Sequence, residues 1–186
     1  MVHTFAVYVE DKPGALNRVA SLFRRRAFNI ESLTVGRTET PGVSRMTVVV
    51  RTDEWGARRL EAHLYKLVPV RRVSDVTSAP SIARDLALIK VAAGADVRPH
   101  VMRLVDVYRA RIVDVSTESL VIETTGTEDK IDSLLEVLRP YGVIEMVRTG
   151  CVAMARGVRT GRERRGAALR RVSPPETTKD VIDCAV

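Results

Sequence analysis

Residues 9–33 read VEDKPGALNRVASLFRRRAFNIESL. An apolar strand ends in an acid, Asp11, followed by a Pro13-Gly14 turn. A helix opens at the glycine, and a second strand starts at Asn29. A strand-to-helix turn with glycine at the helix start leaves backbone N–H groups without acceptors inside the helix. With the helix dipole behind them, those groups make a position for a carboxylate. Asp11 and Asn29 can offer oxygen acceptors to an ammonium group nearby. Carboxylate and ammonium positions side by side suit a free amino acid.

Outward from this stretch, two segments share one order of elements. In the first, HTFAVYV reads as a strand with Phe5, Val7 and Val9 on one face. Leu16, Val19, Ala20, Phe23 and Ala27 follow helical spacing. IESLTVGRT and SRMTVVVR are strand-like and are separated by a Pro41-Gly42 turn. Thr52 and Asp53 can cap a second helix whose inner face is Ala57, Leu60, Leu64 and Leu67. VPVRRVSDV closes the segment as a strand. In the second, LALIKVA is a strand, and Asp96 is the candidate cap of a helix with Pro99 in its first turn. RIVDVST and SLVIETT are strands. Thr127 can cap a helix bearing Ile131, Leu134, Leu135 and Leu138, which Pro140 and Gly142 stop. VIEMVRT is a strand, and CVAMAR adds a possible further one.

The predicted fold class is therefore α+β, with two consecutive ferredoxin-like βαββαβ domains over residues 1–78 and 79–157. The link between them runs around Ser78-Ala79-Pro80-Ser81. Each four-stranded sheet carries its two helices on one face only. The other face keeps several apolar residues, which predicts a homodimer. Residues 158–186 are rich in arginine and poor in large apolar side chains, a composition that predicts disorder.

The formal net charge of the 186 residues is +7. Residues 156–171 contribute +6 of it and residues 172–186 contribute −2, leaving +3 for the other 155 residues. The folded body is nearly neutral, so the basic balance is weak support for nucleic-acid binding. No apolar run approaches the roughly 20 residues that a membrane span needs. MVHTFAVYVED has neither the basic start nor the cleavage pattern of a signal peptide. Cys151 and Cys184 are too far apart for zinc spacing and too few for a disulfide framework. These features predict a cytoplasmic setting without a membrane.

VEDKPGALNRVASLF, FNIESLTVG, SRMTVVV and HLYKLVPVRRV resemble the N-terminal ACT domain of the regulatory (small) subunit of acetolactate synthase, also called acetohydroxyacid synthase. The resemblance continues through RDLALIKV, YRARIVDVS and ETTGTEDKIDSLLEVLRPYGVIEMVRTGCVAMARG, and covers about residues 3–157. A lone strand-Pro-Gly-helix turn would suggest only some ACT-like domain; FNIESL, SRMT and RTG narrow it. The resemblance implies an ACT domain followed by a C-terminal regulatory-subunit domain. It implies no catalysis and no cofactor of the chain's own. The partner would be a catalytic (large) subunit that uses thiamine diphosphate, magnesium and usually FAD. The chain would activate that subunit and confer feedback inhibition by valine or a related branched-chain amino acid. In the family the effector lies between two ACT domains, at one chain's strand-to-helix turn and the start of its neighbour's second strand. The matching positions are Asp11, Gly14, Ala15, Leu16, Asn29 and Ile30. Several family members carry Asn where this chain has Asp11; a charged acid there attracts an ammonium but repels a carboxylate placed too close.

Plainer readings stand beside these. Pro-Gly suits any tight turn, and Asn29 can bond its own backbone at a strand start. Arg24, Arg25 and Arg26 complement a helix dipole. Trp55 is expected to be buried at the domain edge rather than to serve a partner. His3, His63 and His100 lack partners at ligand spacing. Cys151 is expected to be a small buried residue. No catalytic constellation stands out. Other classes of function remain: an amino-acid-responsive ACT-domain regulator of another enzyme, or of nucleic acid through the arginine cluster, and a small ferredoxin-like enzyme.

Overall fold

A computed structural model describes residues 1–157. The disorder expected of residues 158–186 lies outside the described residues.

The first half runs β1 (Val2–Glu10), α1 (Ala15–Arg25), β2 (Ile30–Arg37), β3 (Val43–Arg51), α2 (Glu54–Leu64) and β4 (Val70–Asp75). Its sheet is antiparallel with strand order β2-β3-β1-β4. Alternation along β1 puts Phe5, Val7 and Val9 on the helix side, where all three are buried. There they meet Val19, Leu22 and Phe23 of α1 and Ala57, Leu60 and Leu64 of α2.

The second half repeats this order with β5 (Ser81–Ala92), α3 (Arg98–Val107), β6 (Arg111–Val115), β7 (Ser119–Gly126), α4 (Glu128–Leu138) and β8 (Val143–Arg148). Its sheet order is β6-β7-β5-β8. Ala87, Ile89 and Val91 of β5 face Val101 and Val105 of α3 and Ile131, Leu134 and Leu138 of α4. Both halves are thus α+β with the ferredoxin-like strand order. The extra strand exists as β9 (Val152–Ala155), which pairs with the first four residues of the long β5.

The expected exposure of the first sheet's second face is corrected. Alternation also puts Ala6 and Tyr8 of β1 and Thr47 and Val49 of β3 on the side away from the helices. Ala6, Thr47 and Val49 are nonetheless buried. The chain's own C-terminal arm packs on this face: Ala153 of β9 meets Ala6 and Val76, with Tyr8, Ala83 and Cys151 beside them. The second sheet keeps its open face. Leu88 and Val147, cross-strand neighbours there, are 37% and 57% exposed.

Local signals differ in how well they mark the helices. Asp53 caps α2 by accepting from the Gly56 N–H at 2.7 Å, and Thr127 caps α4 through the Lys130 N–H. Asp96 does not cap α3. That helix starts from Val97, has no side-chain cap, and carries Pro99 in its first turn. The Arg98 guanidinium fixes it instead by donating to the carbonyls of Ala93, Ser116 and Thr117. The α1 helix stops short of Ala27, which has φ +55°. Arg109, after α3, has φ +52°. The Phe28 N–H reaches back to Phe23 O at 3.0 Å, and the Ala110 N–H to Val105 O at 2.9 Å. Both helices therefore end in the same left-handed cap without the glycine that usually fills it. Trp55 is 64% exposed rather than buried, and the Arg59 guanidinium sits over its ring at 4.3 Å.

The strained cap yields a test. Ala27→Gly is expected to raise stability by about 0.5–1 kcal/mol, because relief of left-handed strain exceeds the added freedom of the unfolded chain. Urea unfolding would measure it, and a lowered midpoint would contradict the strain.

Candidate functional site

The turn after β1 is built by backbone hydrogen bonds. The Asp11 N–H donates to Gly42 O at 2.9 Å, and the Lys12 N–H donates to Glu10 O at 2.9 Å. Gly14, at φ +83°, is the N-cap of α1 and lets the chain turn into the helix. The Ala15 N–H is used within the turn, by Lys12 O at 3.2 Å, and the Arg18 N–H makes the first helical bond to Gly14 O. Among the described residues no side chain caps this helix. The next two N–H groups, of Leu16 and Asn17, belong to the first turn and have no acceptor within the helix. A Cβ placed on Gly14 would meet nothing within 4 Å, so the space over the turn is open.

The charges around the turn are matched. The Lys12 ammonium lies 2.9 Å from Glu10, and Arg71 approaches the same carboxylate at 3.5 Å. The hydrogen bond from Lys12, then its charge, hold the Glu10 carboxyl below the usual carboxylate range, with Arg71 adding to the effect. Arg37, at the end of β2, stands 3.8 Å from the Asp11 carboxylate. The acid at position 11 thus has a cation facing it. Sequence reading missed Arg37, because only the sheet brings the end of β2 beside the end of β1.

Of the six predicted site residues, the structure gathers four. Asp11, Gly14, Ala15 and Leu16 lie at one end of the first sheet. Ala15 is buried, while Leu16, expected on the inner face of α1, is 43% exposed beside the turn. Asn29 and Ile30 lie at the other end. Ile30 pairs with Val50, whereas Arg37, at the far end of the same strand, pairs with Ser44 next to the turn. The seven residue steps between them span roughly 23 Å at strand rise. One chain therefore does not bring the six residues together.

Two cavities flank these ends. A recess of about 210 Å³ beside the turn is lined by Glu10, Lys12, Ala15, Arg18 and Pro69. Enclosed ligand sites are commonly about 300–1,000 Å³, so a ligand here needs a second surface to cover it. A larger cleft of about 550 Å³ lies at the Ile30 end, between the two halves, with Ser32, Leu33, Asp85, Arg148, Thr149 and Cys151 in its wall. Burial raises the Asp85 carboxyl above its ordinary range, against the charge of Arg148 3.5 Å away, and nearby Asp132 adds to the rise. Burial first, then Asp85 and Glu128, raise the Cys151 thiol. That residue is half-buried and lies just before β9 rather than within it. His3 is buried, with Nδ1 3.4 Å from Asp75 Oδ2. Among the described residues, no group of three or more His, Cys, Asp or Glu could hold a metal ion. Nor is any helix there long and apolar enough to cross a membrane.

The comparisons with known proteins fall on both halves. A family model described as an AHAS (acetohydroxyacid synthase) small subunit-like ACT domain matches residues 5–72. A second, described as the small subunit of acetolactate synthase, matches residues 84–157. The chain belongs to the acetolactate synthase small-subunit family. A probable acetolactate synthase small subunit of Archaeoglobus fulgidus is 51% identical over 157 residues, covering 84% of this chain and 98% of that protein. The acetolactate synthase small subunit of Mycolicibacterium smegmatis is 49% identical, covering 84% and 92%. The crystal structure of the small subunit from Thermotoga maritima is 39% identical, with a TM-score of 0.79 over 85% of this chain and 99% of that one. Membership of the small-subunit family implies partnership with an acetolactate synthase catalytic subunit.

The turn itself generates a prediction. Gly14→Ala is expected to cost about 1 kcal/mol, because an L side chain is strained at positive φ while its Cβ has room. Thermal unfolding would show it; unchanged stability would contradict a left-handed Gly14.

Proposed function

We propose that the chain is the non-catalytic regulatory subunit of acetolactate synthase, acting in the cytoplasm as a homodimer. It activates the thiamine-diphosphate-dependent catalytic subunit and confers feedback inhibition by valine or another branched-chain amino acid. Thiamine diphosphate, magnesium and FAD belong to the catalytic subunit in this reading. The observation that carries the effector assignment is the uncapped start of α1 behind an open, left-handed Gly14.

In this reading, the effector's carboxylate accepts from the free N–H groups of the first turn, with the helix dipole in support. Its ammonium lies against Asp11, whose charge is shared with Arg37. Its apolar side chain rests on exposed Leu16. The second surface comes from another copy, through Asn29 and Ile30. Their separation from the turn within one chain supports a site shared across two ACT domains. A two-fold dimer would then hold two equivalent sites. Regulation follows as linkage: the subunit prefers the active conformation of the catalytic subunit, and effector weakens that preference by about 1–3 kcal/mol.

Gly14→Asp tests the assignment. Its carboxylate would occupy the effector's own anion position, and Asp tolerates left-handed backbone better than most residues. Isothermal titration with valine is expected to show at least a tenfold loss of affinity, with circular dichroism unchanged. Equal affinity would move the site elsewhere. Mixing the wild-type subunit with the catalytic subunit is expected to raise acetolactate production from pyruvate, and no stimulation would sink the regulatory reading.

A further inference from the structure

The strand that begins at Ile30, directly after Asn29, also holds the second half of the chain. Ser32 Oγ accepts the Cys151 N–H at 2.8 Å. The Thr34 hydroxyl is directed at the carbonyls of Cys151 and Thr149, at 3.1 and 3.3 Å. Between those two residues, Gly150 has φ +83° and comes so close that a Cβ there would lie 2.5 Å from Ser32 Oγ. On its other side, this turn is fixed to β5: the Thr149 N–H donates to Leu86 O at 3.0 Å, and the Leu86 N–H donates to Thr149 Oγ1 at 3.2 Å. The polar path therefore runs from β2 through residues 149–151 into the central strand of the second sheet.

Two features make β2 suited to move. Among the described strands it is an edge strand, paired with β3 alone. Its register also shifts between Ile30 and Ser32, so an irregularity at Glu31 separates the proposed effector contact from the Ser32 joint. The Arg51 guanidinium holds Glu31 at 2.7 Å. The arm's other contacts with the first half include the apolar cluster of Ala6, Val76 and Ala153 and the Arg45 guanidinium donating to Ala153 O, beyond the turn.

We infer that Ser32 and Thr34 are positioning residues that relay effector occupancy at Asn29 and Ile30 to the second half through the Thr149–Cys151 turn. This rests on the effector reading above. A neighbour's turn and its bound amino acid, pressing on the start of β2, shift the strand at its irregularity. The two hydroxyls carry that shift to Gly150 and β5. Neither residue is among the six proposed effector contacts, so removing the hydroxyls is expected to separate binding from response.

The test uses holoenzyme reconstituted with the full chain, and valine as the probe. Ser32→Ala combined with Thr34→Val is expected to bind valine within about twofold of wild type and still stimulate the catalytic subunit. The valine concentration needed for half-inhibition is expected to rise at least about tenfold. Gly150→Ala, which strikes the joint from the other half, is expected to give the same shift, and Thr34→Ser, which keeps the hydroxyl, is expected to retain inhibition. Hydrogen exchange at the Cys151 amide should quicken in the double variant. Faster exchange with an unchanged inhibition curve overturns the relay alone. Wild-type holoenzyme that neither binds nor responds to valine, leucine or isoleucine overturns the effector reading, and the relay with it. If the double variant does not fold, Ser32→Ala alone, which removes the acceptor of the Cys151 N–H, carries the same comparison.

Discussion

Alternation along β1 sends Phe5, Val7 and Val9 to one side of the first sheet and Ala6 and Tyr8 to the other, and both sides need cover. Two helices can cover only one. The second demand is met by the far end of the described chain, where Ala153 lies against Ala6 and Val76. The Arg45 guanidinium, which donates to Ala153 O, stands over the Tyr8 ring at 5.7 Å, and Arg72 stands 5.5 Å from the same ring. Much else follows from this closure. The chain must return from β8 across the first sheet, so β5 must be long enough to pair with β8 at one end and β9 at the other. The small residues at 6 and 153 allow the close approach, and Gly150 allows the turn that precedes it.

The repeated order of elements was legible because each half writes its two periods plainly: period two in the strands and near 3.6 in the helices. The starts of α2 and α4 were legible because Asp53 and Thr127 act on N–H groups three residues away. The ends of α1 and α3 were not, since Ala27 and Arg109 fill positions where glycine is the readable signal. The start of α3 was misplaced for a different reason. Asp96 looks like a cap, but a guanidinium on carbonyls of two other segments does the fixing, and sequence order does not show that. Trp55 shows the limit of composition. A lone tryptophan suggests burial, yet a helix that already buries Ala57, Leu60 and Leu64 has no room on its inner face for position 55.

The candidate site was legible in its local half. Asp11 to Leu16 is one continuous turn, and its chemistry is the chemistry of an uncapped helix start. Arg37 was invisible because its nearness to Asp11 depends on the sheet. The position of Asn29 and Ile30 at the opposite end was equally a matter of topology. A strand that follows an 11-residue helix returns to the end of the sheet where β1 began, because α1 runs antiparallel to the strand before it. No change of side chain would bring those residues back to the turn of the same chain.

That topology has a consequence for the proposed effector site. The recess at the turn is open, and the turn itself offers mainly polar recognition, through N–H groups and Asp11. Discrimination among apolar side chains then falls to Leu16 and to whatever the second copy contributes through Ile30. A ligand recognised in this way binds two copies together better than it binds either alone. By mass action it stabilises the dimer to the extent that its concentration exceeds its dissociation constant, and dilution of the subunit weakens its binding by the same linkage. In the proposed site, effector choice, dimer strength and regulatory response are thus set at one interface. On that proposal a substitution at Leu16 or Ile30 alters all three together, whereas one at Ser32 or Thr34 is expected to alter the response alone.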